Sequence, residues 1–159
     1  MPRKRFPGKK MRRIRPDELR VTSVSLPEAG ARICLPLYLC RVPAGFPSPA
    51  GDYVESNIDL NEWLVGNKLA TYIVWVEGDS MAGEIHSGDW LIVDRSLEPR
   101  HGSVVVACVD GEVTVKRLMV EGGRCFLAAD NPEYPRLEIE GARELVIWGV
   151  VTHAVRRLG

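Results

Sequence analysis

Between residues 70 and 155 the chain consists of short runs of β-branched and aromatic residues, spaced about ten residues apart and separated by glycine turns. The runs 71–77 (TYIVWVE), 90–94 (WLIVD), 103–109 (SVVVACV), 112–119 (EVTVKRLM), 124–129, 136–139 and 145–155 each fit a strand. Asp110-Gly111, set between two of them, is the signature of a tight hairpin, and Gly88-Asp89 and His101-Gly102 mark further turns. This spacing predicts a mainly β fold, a compact sandwich or barrel. A chain of 159 residues, 45% of them hydrophobic, buries a full core without metal or disulfide. Eleven prolines and fifteen glycines argue against a helical bundle. No apolar run approaches the roughly 18 residues of a membrane span, so no membrane partner is expected.

A net charge of zero conceals an asymmetry. Residues 1–20 hold nine Lys or Arg against Asp17 and Glu18, and the rest of the chain is acidic by the same margin. Such a block reads first as a solvated tail and second as a weak contact with nucleic acid or an acidic partner, through residues 3–20. Residues 1–32 are expected to form a mobile arm. Residues 33–51 contain four prolines among apolar side chains and suit an extended segment outside any sheet. Asp59-Leu60-Asn61-Glu62 gives an acid-rich start to a short helix at 59–66. The apolar octet 33–40 and Val42-Pro43-Ala44 imitate a secretory leader. However, the basic stretch includes acids, 20–32 is polar, Pro36 breaks the octet and Arg41 follows it. A cytoplasmic location is therefore expected, where Cys34, Cys40, Cys108 and Cys125 fit free thiols. These cysteines lack C-x-x-C spacing and His86, His101 and His153 are scattered, so no metal or cofactor is expected.

Two positions can carry chemistry. Glu77-Gly78-Asp79-Ser80-Met81 follows a strand, and Gly78 permits a sharp turn that leaves Ser80 at a corner where backbone N–H groups converge. On its own this is the sequence of an ordinary turn serine. Lys116 lies in a run where Thr114, Lys116 and Leu118 share one strand face and Val113, Val115 and Arg117 the other. Taken singly, most strand lysines are solvated. Together the two describe a Ser–Lys hydrolase, since a serine hydroxyl is a poor nucleophile until a base takes its proton. A lysine at its ordinary pKa of about 10.4 is neutral in only about one molecule in 2,500 at pH 7. Lowering that pKa to about 7 costs the ammonium about 4.6 kcal/mol, which burial must supply.

The sequence resembles a family at this point. Gly78-Asp79-Ser80-Met81, Ser87-Gly88-Asp89-Trp90-Leu91-Ile92-Val93-Asp94, Gly102-Ser103-Val104-Val105-Val106-Ala107 and Val113-Thr114-Val115-Lys116-Arg117-Leu118 resemble the self-cleaving peptidase domains of LexA and UmuD. Ala44-Gly45-Phe46-Pro47-Ser48-Pro49-Ala50-Gly51-Asp52-Tyr53-Val54-Glu55, followed by Ile58-Asp59-Leu60-Asn61, is similar to UmuD in particular. The resemblance implies a strongly bent β-sandwich or barrel, with 1–44 as an arm removed by self-cleavage and 45–159 as the peptidase and dimerisation domain. It implies Ser80 as nucleophile, Lys116 as general base, and the backbone N–H groups of Ser80 and Asp79 as oxyanion donors. It places the scissile bond at Ala44–Gly45.

The partners it implies are a RecA–single-stranded-DNA filament that stimulates cleavage, a second copy of the chain, and a Y-family (UmuC-like) polymerase served by the shortened dimer. Alternatives are a LexA-like repressor and an inactive β-domain recruitment module. A signal peptidase shares the Ser–Lys logic but needs an anchor. Only 44 residues precede the expected cut, too few for a helix-turn-helix domain, so a repressor is not expected.

Overall fold

A computed structural model of the chain describes residues 19–25, 34–38, 54–141 and 143–159. Eight strands form one antiparallel sheet in the order β1-β4-β5-β10-β6-β7-β8-β9: β1 (Arg20–Ser25), β4 (Thr71–Glu77), β5 (Trp90–Asp94), β10 (Leu145–Val155), β6 (Val104–Val109), β7 (Glu112–Glu121), β8 (Arg124–Ala128) and β9 (Leu137–Ile139). The remaining strands, β2 (Cys34–Tyr38) and β3 (Val54–Asp59), pair with each other. The large sheet curls into a half-barrel, bringing β1 against β7 although four strands separate them in the pairing order. This is the mainly β fold that the strand spacing predicts, with the strong bend that the family resemblance implies.

The bend originates in β10. Its first half pairs with β6 and its second half with β5, with register shifts between Ile147 and Gly149 and between Val151 and His153. Bulges of this kind increase local twist and let one strand serve two directions. They also divide the interior into two cores. Leu19, Val74, Val76, Met81, Ile85, Leu91, Val93, Val106 and Val115 form one, and Val105, Ala107, Val109, Leu118 and Leu127 the other. Consecutive buried residues such as Val105, Val106 and Ala107 therefore serve opposite faces.

At Gly149 an added Cβ would lie 2.6 Å from Val93 Cγ1 and 3.2 Å from the Asp94 carbonyl oxygen. Gly149→Ala is expected to lower stability by about 1–3 kcal/mol through overpacking, measured by chemical denaturation.

Turn chemistry fixes the hairpins. Asp110 and Gly111 both have positive φ (50° and 87°), as a two-residue turn of the expected type requires. Helix α1 (Leu60–Leu64) begins where expected, with the Asp59 carboxylate accepting from the Asn61 N–H at 2.9 Å.

Two expectations fail. Residues 19–25 are not a free arm, because β1 pairs with β4 along its length and Leu19 is fully buried. Val21 and Val24 both pack on the first core. They are three residues apart, and only the register shift between Val21 and Ser23 brings them to one face, so strict alternation hid the strand. Residues 34–38 likewise belong to a sheet. Pro36 stands opposite Asn57 there, which is tolerated because a two-stranded ladder has only edge strands. Residues 3–18 of the basic block, with Ala44 and Gly45, lie outside the described residues.

Candidate active site

Ser80 sits in the connection between β4 and β5. The strand ends at Glu77, Gly78 takes φ 113°, and the chain then turns tightly, with Ala82 N–H donating to the Asp79 carbonyl at 2.9 Å and Ile85 N–H to the Met81 carbonyl at 3.1 Å. Met81 and Ile85 plug this turn into the first core. Asp89 secures its far end, where its carboxylate accepts from His86 N–H at 2.8 Å and from Arg156 at 2.7 and 2.6 Å. The Arg156 hydrogen bond holds the Asp89 carboxyl below its usual range, against the effect of burial.

A depressed carboxyl stabilises the fold above the ordinary carboxylate range, and that contribution is lost as pH falls through the folded-state value. Arg156→Ala removes the cause of the depression. Its acid-unfolding midpoint, followed by circular dichroism, is expected to move to higher pH.

Lys116 reaches Ser80 from the middle of β7. Its Nζ lies 2.9 Å from Ser80 Oγ, 3.1 Å from Thr114 Oγ1 and 3.4 Å from the Val115 carbonyl oxygen. Ser80 is 0% exposed and Lys116 6%. A serine and a lysine 36 positions apart in sequence thus meet in a nearly dry setting. Asp79, adjacent in the turn, is exposed, and its carboxylate accepts from Tyr134 Oη at 2.5 Å.

Several contacts were not anticipated from sequence. Thr114 hydrogen-bonds the amine, and the backbone N–H of Leu19 donates to Ser80 Oγ at 3.2 Å. Asn131 N–H donates to the Ser80 carbonyl at 3.0 Å. The shared face of Thr114 and Lys116 was a usable signal for the first. Nothing in the spacing signals the others.

Asp94 caps a turn, accepting from Ser96 N–H and Oγ at 2.7 and 2.6 Å. Trp148 packs on the first core, whereas Trp63 and Trp90 are exposed. Cys108 and Cys125 are free thiols. Among the described residues no group of three or more His, Cys, Asp or Glu could hold a metal ion, and no helix is long and apolar enough to cross a membrane.

Comparison with known proteins identifies the family. The family model described as Peptidase S24-like matches residues 36–152. The chain is 48% identical over 123 residues to the protein MucA of Salmonella typhimurium, an alignment covering 76% of this chain and 84% of that protein. It is 46% identical over 123 residues to the protein SamA of the same species, covering 77% and 85%. Against the LexA repressor of an Anaeromyxobacter species it is 37% identical over 143 residues, covering 88% of this chain and 62% of the repressor. The chain belongs to the S24-like peptidases of the SOS response, as a UmuD-like member of the LexA and UmuD group.

Proposed function

We propose that this protein is a self-cleaving serine endopeptidase that cuts Ala44–Gly45, with Ser80 as nucleophile and Lys116 as general base. The observation that carries the reading is the buried 2.9 Å contact between Lys116 Nζ and Ser80 Oγ. Burial opposes the ammonium form, and the neutral amine is the form that can accept a proton. The amine takes the hydroxyl proton as Oγ bonds to the Ala44 carbonyl carbon, and the resulting oxyanion is held by the N–H groups of Ser80 and Asp79. As the C–N bond breaks, the Lys116 ammonium returns its proton to the Gly45 nitrogen. Water, deprotonated by the same amine, then hydrolyses the Ala44 ester on Ser80 and regenerates both groups.

The site also carries the basis for latency. Ser80 Oγ accepts from the Leu19 N–H as well as lying against Lys116 Nζ. An amide whose N–H points at the hydroxyl presents its edge to the oxygen, whereas attack must come from above the carbonyl plane. Leu19 therefore lies against the serine through its amide N–H, an arrangement that does not lead to attack. In this reading a RecA–single-stranded-DNA filament favours the state in which 44–45 replaces it, contributing no catalytic group.

The segment removed is residues 1–44, β1 and β2 included. The product is a cytoplasmic homodimer of 45–159 that serves a Y-family, UmuC-like polymerase. The basic residues among 3–20 add nonspecific affinity for DNA or the filament. Replacing Arg3, Lys4, Arg5, Lys9, Lys10, Arg12 and Arg13 with Gln should weaken the salt dependence of filament-stimulated cleavage. Unchanged salt dependence would remove that role.

Mass spectrometry after incubation at pH 9–10 tests the peptidase assignment. The wild type should yield a fragment ending at Ala44 and another beginning at Gly45, and Ser80→Ala should yield neither. An intact wild-type chain after prolonged incubation with activated filament would favour a recruitment module without activity.

A further inference from the structure

The loop between β8 and β9 touches both halves of the site. On one side Asp130 pairs bidentately with Arg117, Nε to Oδ1 at 2.8 Å and a terminal nitrogen to Oδ2 at 2.7 Å. Arg117 adjoins Lys116 in β7, donates to the Gly102 carbonyl at 2.8 Å, and reaches Glu84 at the end of the serine turn at 2.9 Å. On the other side Asn131 donates through its backbone to the Ser80 carbonyl at 3.0 Å and through its side chain to the Asp79 carbonyl at 3.3 Å. Tyr134 Oη donates to the Asp79 carboxylate, and Asn131 Oδ1 accepts from Glu133 N–H at 3.0 Å, which shapes the loop itself.

These contacts have a directional consequence. In a trans peptide the C=O and the following N–H point in opposite directions within one plane. Holding the Asp79 carbonyl, as Ala82 N–H and Asn131 do together, fixes where the Ser80 N–H points. Holding the Asp79 side chain through Tyr134 limits rotation of the residue that carries the neighbouring N–H. Among the described residues, neither the Ser80 nor the Asp79 N–H donates to a protein acceptor. Preorganised donors of this kind are effective because they need not reorient as charge develops.

We propose that Asn131 and Tyr134 are positioning residues for the oxyanion donors. In the same brace, the Arg117–Asp130 pair sets the distance between the strand carrying Lys116 and the turn carrying Ser80. The proposal rests on the Ser80–Lys116 reading and extends it to residues that touch neither the scissile bond nor the transferred proton.

The test is the rate of self-cleavage by the full-length chain from pH 7 to 10, for the wild type, Asn131→Ala, Tyr134→Phe, Asp130→Asn and Asp130→Glu. Near-UV circular dichroism and thermal melting accompany each. Asn131→Ala and Tyr134→Phe should slow cleavage by about tenfold or more at every pH, while the pH midpoint and the near-UV spectrum stay those of the wild type. Asp130→Glu should recover part of the rate lost in Asp130→Asn. Wild-type rates in Asn131→Ala and Tyr134→Phe overturn the proposal. So does slowing matched by an equal loss of folded protein, or slowing that comes from a moved pH midpoint. A wild type that cleaves no faster than Ser80→Ala would instead overturn the peptidase reading beneath it.

Discussion

Lys116→Met should lose self-cleavage by about 10²–10⁴-fold while the protein remains at least as stable as the wild type. The two outcomes have one cause. A buried amine is costly for the fold, and apolar replacements of buried polar groups of similar volume are often neutral or stabilising. Methionine fills the space of the lysine stem without the charge. If Lys116 were there to stabilise the sheet, the same substitution would lower the melting temperature and leave cleavage intact. Lys116→Arg sharpens the comparison, because a guanidinium can donate to Ser80 Oγ as the present amine does but cannot accept a proton near neutral pH. Its cleavage should be as slow as that of Lys116→Met. Cleavage rates and thermal melts on these two variants check both statements.

The second large effect runs the other way. Leu19→Asp should raise basal cleavage at 44–45 without filament. Leu19 is fully buried in the first core, and its amide occupies Ser80 Oγ. Removing a buried leucine side chain costs a core about 2–5 kcal/mol. If that cost falls on the state in which Leu19 holds Ser80, competition for the serine shifts by about 30-fold or more, at 1.36 kcal/mol per factor of ten. Thr22 offers a milder version, since its hydroxyl donates to the Trp75 carbonyl at 3.1 Å at an exposed position. Thr22→Val should loosen β1 slightly and raise cleavage slightly. Quantifying the fragment ending at Ala44 over time distinguishes this from loss of fold, because an unfolded chain brings no Ser80 to Lys116 and slows instead. A Leu19→Asp protein that is folded and cleaves no faster than the wild type removes β1 from the account of latency.

Sequence and structure agree most closely where local chemistry is decisive. The Asp110-Gly111 hairpin, the Asp59 cap and every strand from 71 onward follow from turn residues and runs of β-branched and aromatic side chains. Ser80 and Lys116 were legible only as a pair, because each alone is an ordinary residue and their meeting depends on a sheet that curls. β1 was not legible, since its bulge breaks the alternation on which strand reading relies, and the positive charge before it pointed to a solvated tail. The brace of Arg117, Asp130, Asn131 and Tyr134 was hidden for a different reason. It joins a strand, a turn and a loop through side chains on three elements, and no period in the sequence records such a junction.

The central claim is that the Lys116 amine activates Ser80 only when it has lost its proton. Carbon-13 labelling of lysine Cε, with Lys116 assigned by comparison with Lys116→Met, follows that proton by NMR in Ser80→Ala, a variant that cannot consume itself. The wild-type cleavage rate is measured over the same pH range. The account predicts that cleavage rises with pH and levels off as the Lys116 resonance completes its titration. A cleavage rate that reaches its plateau while Lys116 is still fully charged would contradict it.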